Sequence, residues 1–571
     1  MKIAEKYSYE KVTAIHKELL TERSEWEAEW RELSQFLIPG RGIYQTLNKP
    51  KKRELTSPKV INPTAEDALY VLTSGLHARL SSPSSPWFRL AWKDRRIREY
   101  APLQAWLQDC ESRLQTELQS SNFYGVINSY YVEFAGFGTA SQFVEEIWEP
   151  GMPPFAFQLL TAGEYSFSMS HTGVPSVYVR SLFKSKRQLV EEYPKTVSPE
   201  TKSAVERNEA GIDRIELCLL EFICKEAYKD KAFTRILYEV SSPNQRSSTG
   251  KQKPLAVDGF YEHPYVTSRW STIGSDTYGV GPGARSLSSV KRLQEMEKGF
   301  MSAVHKGIDP PLNVPAALRG VTNTLPGGLN YYTDPSKVIS NLYQVNFDYR
   351  AVSAAVERVE ESIKRAFFND VFLTASRDPN ASPLKAAQVI AQQQEQLFRL
   401  GPTIESLQSE TFKPLLKRCF NIMERRDLFQ ELPPELRELA GEFEITIVSP
   451  MAVAQRQAKT QGTDAFLGFI AQSAQFDQTV LDNVDIDEAA QQRAEVEAVD
   501  IGIVRPREAV LEIRAQRQKQ LEEAQRRDAQ TAQAQNQVAL TSEDAAARKT
   551  NAETGQILAE TQQTSREAGV L

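Results

Sequence analysis

Two helical patterns separated by a segment that cannot be helical constrain this chain most. After Tyr278-Gly-Val-Gly-Pro-Gly-Ala-Arg285, the residues Leu287, Val290, Leu293, Met296, Phe300 and Val304 recur at helical spacing and predict a helix over 283–306. Gly307 and Asp309-Pro-Pro311 stop it, because proline lacks the amide donor and pushes the residue before it out of the α region. A stretch rich in Pro, Gly and Asn comes after it, including Leu325-Pro-Gly-Gly-Leu-Asn-Tyr-Tyr332, before Val352, Val356, Val359, Ile363 and Phe367 predict a second helix over 348–370. Each helix buries one stripe, and a pair holding only a short insert is expected to leave apolar area that neighbouring copies must cover. Charge placed in the stripe, as Asp at Val356 and Ile363, is then expected to block closure of a homo-oligomer.

The rest of the chain supplies a body for that unit. Val12, Ile15, Leu19, Trp26, Trp30, Leu33 and Leu37 predict a long first helix ended by Pro39-Gly40. Asn62-Pro63-Thr64 offers a capped start for a second helix through Ala68, Leu72, Leu76 and Leu80, and Leu103 to Leu118 keeps the spacing of a third. Between 138 and 272 the period shifts towards two, in Tyr165–Met169, Ser176–Arg180, Ile215–Cys224 and Thr234–Val240, with a helical insertion at Ser185–Tyr193. This predicts a mixed region dominated by antiparallel strands. A flexible segment is expected over Leu373–Pro383, then a long helix over Leu384–Arg426, kinked at Gly401-Pro402. Phe443–Val448 reads as a strand returning to the mixed region, succeeded by helical patterning over 452–475 and 487–500. Beyond Arg514 the Gln, Ala, Glu and Arg composition suits either an exposed helix or a disordered tail. The fold class is α+β, predominantly helical.

Chemistry is sparse. The 571 residues contain 68 Lys and Arg against 74 Asp and Glu, the wrong balance for a surface that grips phosphates everywhere. There is no GxxxxGK[ST] loop, and Gly279-Val-Gly281-Pro-Gly283 has GxGxG spacing with a proline in place of a donor, so it reads as a tight turn launching a helix. Five histidines lack HExxH spacing and the cysteines Cys110, Cys218, Cys224 and Cys419 form no ligand pattern, so neither a metal nor a cofactor is expected. The four thiols read as structural, in a reduced compartment. No signal peptide and no membrane span is expected. On the second helix Glu357, Glu360, Glu361 and Lys364 lie away from the apolar stripe, and a solvated face and a functional lining stand as equal readings.

An ordered series of modest motifs carries a resemblance. Leu37-Ile-Pro-Gly40 closes a Trp-rich helix, and Asn62-Pro-Thr-Ala65, Leu72-Thr-Ser-Gly-Leu76 and Ser85-Pro-Trp-Phe88 come after it. The Trp270–Arg285 stretch, Asp309-Pro-Pro311 and the Gln-rich tail complete the series. Over about residues 1–520 the chain resembles the portal, or head-to-tail connecting, proteins of short-tailed (T7-like) bacteriophages. The resemblance implies a portal fold: wing 1–282, stem helices 283–307 and 347–371 and clip 308–346. It further implies a channel loop 372–383, a bridging helix and strand 384–450, a crown 451–513 and a barrel helix or disordered tail 514–571. It implies a ring of twelve subunits at one capsid vertex of the virion, assembled in the host cytoplasm. That ring is the channel for double-stranded DNA in packaging and ejection, and it docks the terminase (packaging ATPase), then tail adaptor and internal ejection proteins, beside major capsid and scaffolding proteins. Channel-lining candidates are Glu357, Glu360, Glu361, Lys364, Arg377 and Asp378; clip contacts are Tyr331, Tyr332 and Tyr343. Stem packing falls to Val290, Leu293, Phe300, Val352, Val356, Val359 and Ile363. No enzymatic activity is implied, and no sequence-specific DNA recognition is expected. A head–tail adaptor or tail tube protein, and an enzyme with an unrecognised site, are the other readings.

Overall fold

The computed structural model describes residues 2–41, 59–94, 100–170, 173–215, 217–240, 253–314, 322–323, 325, 329–331, 334, 339–342, 348–373, 399–431, 442–448, 465–473, 480, 484–496 and 507–567. The chain divides into two units, Met1–Phe469 and Ile470–Leu571.

In the first unit α1 (Tyr9–Phe36) buries Val12, Leu19, Trp30 and Leu33, the positions its apolar period selects. Its buried Arg23 is satisfied by Glu27 and by the Tyr165 carbonyl, which accepts from Nη1 at 2.7 Å. The next helix, α2 (Thr64–Leu80), starts where the Asn62 side chain accepts the Thr64 amide at 2.9 Å. After β1 (Phe88–Trp92) come α3 (Ala101–Ser120) and α4 (Phe123–Phe137). The latter is buried on every side over Tyr130–Phe137, so its second half has no polar face and no readable period.

The strands form antiparallel sheets. Strands β2 (Thr139–Glu146), β3 (Phe155–Leu160) and β9 (Tyr265–Arg269) make a three-stranded sheet in the order β3-β2-β9. Strands β4 (Tyr165–Met169), β5 (Pro175–Lys184), β6 (Leu217–Cys224), β7 (Phe233–Glu239) and β8 (Ala256–Phe260) make a five-stranded meander. Its faces separate by the period of two: Leu220, Phe222, Ile236 and Tyr238 pack with Val12 and Leu19 of α1, whereas Leu219 and Leu237 pack with Leu189 of α5 (Lys186–Glu192). That insertion opens with a capping box between Ser185 and Gln188. A second short helix, α6 (Pro199–Glu206), is capped by Ser198.

Helix α7 (Pro282–Ile308) and helix α8 (Tyr349–Ala366) flank the insert, across which β10 (Leu312–Asn313) pairs with β11 (Ser340–Asn341). A short α9 (Asn369–Leu373) comes next. Residues 374–398, which hold most of the expected loop and the first part of the expected long helix, lie outside the described residues. Beyond them the chain runs through α10 (Gly401–Ser406), a π-helical stretch Leu407–Phe412, and α11 (Lys413–Arg425). The last strand, β12 (Phe443–Ile447), pairs antiparallel with β1, Phe88 opposite Ile447 and Trp92 opposite Phe443. It therefore returns to the segment after α2, and not to the sheets between 139 and 269.

In the second unit α12 (Ile486–Val496) precedes α13 (Arg507–Glu567), a 61-residue helix whose described side chains are nearly all exposed. The helix of the tail begins at Arg507, before Arg514.

Candidate functional site

Two of the motifs that carried the resemblance, the Trp270–Arg285 stretch and Asn62-Pro-Thr-Ala65, meet at the root of the α7–α8 pair. Where α7 begins, the backbone of Gly279–Gly283 lies against that of Gly136–Gly138. A Cβ on Gly279 would sit 2.4 Å from the Gly138 carbonyl oxygen, one on Gly281 2.7 Å from that of Ala135, and one on Gly283 2.2 Å from that of Gly136. Gly138 also has φ +80°, the left-handed region. Hydrogen bonds close this seam: Trp270 N donates to Gly138 O at 2.8 Å, Gly279 N to Thr139 Oγ1 at 2.8 Å, and Val280 N to Ser271 O at 2.7 Å. Tyr278 is buried between Trp30 and Phe167, at ring distances of 5.1 and 4.9 Å. The glycines thus serve backbone contact and helix launch.

Asn62 ties both helices to the start of α2. Gln294 of α7 accepts the amides of Ile61 and Asn62 at 2.7 and 2.9 Å and donates back to Asn62 O at 2.8 Å. The Asn62 side chain donates to Glu297 of α7 at 3.0 Å and to Glu360 of α8 at 2.9 Å. Gly75, from the Leu72–Leu76 motif, leaves room for the ring of Phe372 in α9, whose Cδ1 would lie 2.2 Å from a Cβ there. Trp87, from Ser85–Phe88, stacks on Phe123 at 5.8 Å and meets Phe412 of the π-helical stretch at 5.1 Å. That stretch is clamped to the end of β9: Glu410 accepts from Arg269 Nη2 at 2.7 Å and from the Arg269 amide at 2.9 Å, while Ser406 Oγ donates to Arg269 O.

Along the pair, burial changes from root to tip. Val290, Leu293, Val359 and Ile363 are buried within the single chain, Ile363 at 0% exposure. The expectation that a monomer cannot bury this stripe is thereby corrected at its root half, since α1, α2 and α4 cover it. Phe300, Val352 and Val356 are half-buried, Phe300 against Tyr349 at 5.5 Å. Towards the tip Met301 is 46%, Tyr349 59% and Ile308 77% exposed.

Of the polar candidates, Glu357, Glu361 and Lys364 are exposed, and Glu361 pairs with Arg365 at 3.0 Å. Glu360 differs: it is half-buried, holds Asn62 and Thr64, and lies 3.9 Å from Lys364. Tyr331 is 86% exposed. Tyr332, Tyr343, Arg377 and Asp378 lie outside the described residues.

Elsewhere some buried polar groups are satisfied structurally, whereas the Gln142 amide and the Tyr165 and Tyr278 hydroxyls are buried without a hydrogen-bond partner among the described residues. Glu133 accepts from Arg41, Thr161 and the Ala162 amide; burial holds its carboxyl above the usual range, against the pull of Arg41. Burial pushes the thiols of Cys110 and Cys218 up to about 12 and that of Cys224 to about 11, which makes them poor nucleophiles and ligands. Among the described residues no cluster of His, Cys, Asp and Glu fits a metal ion, and no described helix is long and apolar enough to cross a membrane.

Residues 10–504 match the family described as bacteriophage head to tail connecting protein. The chain is 30% identical over 524 residues to the probable portal protein of Bordetella phage BPP-1, covering 89% of this chain and 91% of that one. It is 29% identical over 525 residues to the portal protein of Salmonella phage epsilon15, again covering 89% and 91%.

Proposed function

This chain belongs to the bacteriophage head-to-tail connecting protein family, and from that premise we propose that it is the portal subunit of a tailed phage, closing as a ring of twelve at one capsid vertex of the virion. Double-stranded DNA passes through the ring during packaging and ejection, without sequence recognition. The observation that carries the reading is the helix–insert–helix unit, whose root is fixed to the body of its own chain and whose tip is left apolar and open.

In this reading residues 1–282 are the wing, α7 and α8 the stem, and 308–346 the clip. Residues 372–383, with Arg377 and Asp378, form the channel loop, leading into the bridging helix and strand (384–450), crown (451–513) and barrel helix (514–571). Glu357, Glu361 and Lys364 line the channel, and Glu360 acts through Asn62 to hold the stem. Mixed charge there suits a duplex that must move, because each tight cation–phosphate contact would release counterions and retain the DNA. Tyr331, Tyr332 and Tyr343 belong to the surface that meets the terminase and then the tail adaptor and internal ejection proteins, while the wing faces capsid and scaffolding proteins. Assembly takes place in the host cytoplasm.

Negative-stain imaging of the purified protein tests this directly: rings with a central hole are expected. A stable monomer at micromolar concentration in sedimentation overturns it. Deleting residues 321–330 is expected to leave rings intact and abolish packaging, and normal packaging by that variant removes the clip from the mechanism.

A further inference from the structure

The two stem helices handle surface charge differently. On α8 two pairs run along the helix, Glu361 with Arg365 and the half-buried Glu360 with Lys364, while Arg350, Glu357 and Arg358 are exposed with no ion pair among the described residues. On α7 four cations are exposed, Arg285, Arg292, Lys298 and Lys306, against one exposed acid, Glu295. Arg285 and Arg292 have no carboxylate within ion-pair distance among the described residues, and they stand seven residues apart, roughly 10.5 Å along one face. Arg285 sits in the first turn of α7, where the helix dipole disfavours a cation. Such an arrangement leaves both guanidinium groups available to an external anion.

The same chain carries the complement. On α1, Glu18, Glu22, Glu25, Glu29 and Glu32 succeed one another at intervals of four, three, four and three residues, which places all five on one face. Like charges so close repel one another. The Glu29 carboxyl is held above its usual range by burial and by Glu32. Lys291 of α7 takes Glu32 at 2.9 Å, and Thr277 hydrogen-bonds Glu22. Glu18 and Glu25 remain exposed with no ion pair among the described residues, and they too are seven apart, roughly 10.5 Å along the face.

We propose that the Arg285–Arg292 face of α7 docks on the Glu18–Glu25 face of α1 in a neighbouring copy, forming an ionic seam between subunits. The proposal rests on the ring reading, since a closed ring needs two different faces of one chain to be complementary. Matched spacing and opposite sign on two separate elements favour a second copy over DNA, which would engage the cations alone.

The test is a charge swap assayed by negative stain and sedimentation. Arg285→Glu with Arg292→Glu, and separately Glu18→Arg with Glu25→Arg, are each expected to raise the concentration for half-assembly roughly tenfold or more. The quadruple variant, with both faces reversed, is expected to recover rings. All four positions are exposed, so circular dichroism melts should match the unmodified chain. Rings that survive both reversals, or losses that the quadruple does not rescue, overturn the seam while the ring stands. Cation reversals that leave rings intact and lower only DNA retention overturn it in favour of a channel face. Absence of rings from the unmodified chain overturns both readings.

Discussion

The root and the tip of the α7–α8 pair are built from the same kind of amphipathic helix and end in opposite states. At the root, Val290, Leu293, Val359 and Ile363 are buried by their own chain, the glycine seam brings backbone onto backbone, and Asn62 joins both helices to α2. At the tip, Met301, Ile308 and Tyr349 are left to solvent. One helix pair therefore belongs to the folded monomer at one end and to whatever it meets at the other. A subunit so made is already oriented before it encounters a neighbour, so association does not also have to order the helices.

The sharpest way to break the contrast is at the seam. Gly138→Val combines a left-handed backbone with a Cβ 2.3 Å from Gly279 O, and no side-chain rotation relieves either; loss of folded, soluble protein on expression is the expected result. Ile363→Asp should come next, lowering monomer stability by about 3–5 kcal/mol in chemical denaturation, because a carboxylate replaces a fully buried side chain.

Acid should act on the body and spare the tip. Burial holds His16 and His263 at about 4, below the ordinary 6.5, so both stay neutral in the fold while the unfolded chain takes up protons first. Stability from each is whole above pH 6.5 and is lost as pH falls towards 4, up to about 3 kcal/mol per residue. A melting temperature that stays flat between pH 7 and pH 4.5 would contradict this. Asn62→Ala is smaller, about 1–3 kcal/mol, since it removes the Thr64 cap and one partner each of Glu297 and Glu360 without a cavity in the apolar core. Faster amide exchange confined to the start of α2 and the neighbouring turns of α7 and α8 is its expected signature. The smallest effect is at the tip, where Ile308→Asp should leave monomer stability within about 0.5 kcal/mol and show itself only in assembly or packaging.

Periodicity made much of this fold legible. The positions of α1, α2, α3, α7 and α8, the four strand segments and the Ser185 insertion are legible from spacing together with caps and Pro/Gly breaks, and the family named from ordered motifs is the one matched over residues 10–504. The parts that stayed hidden did so for physical reasons. Helix α4 is buried all round over Tyr130–Phe137, so the contrast that reveals a helix is missing there. The need for Gly279, Gly281 and Gly283 arises from Gly136 and Gly138, far away in sequence, and a missing Cβ announces its neighbour only in three dimensions. Asn62 is readable as a cap, but its reach to Gln294, Glu297 and Glu360 is not. The π-helical stretch is tied to Arg269, a partner far away in sequence that spacing does not reveal, although Pro414 just beyond it marks a break in the regular helical hydrogen bonding.

The pairing of β1 with β12 sets a schedule for making the protein. Phe88–Trp92 leaves the ribosome with its hydrogen-bonding edge open, and the strand that covers it, Phe443–Ile447, is still untranslated. At about 5–20 residues per second, the roughly 350 residues between them take about 20–70 s to synthesise. Throughout that delay the Phe88–Trp92 strand keeps the edge that β12 will cover unpaired, a feature prone to capture another chain. Yield in a heterologous host should therefore depend on chaperones that shield the first 100 residues until the C-terminal strand arrives, and slowing translation between codons 100 and 440 should lower it.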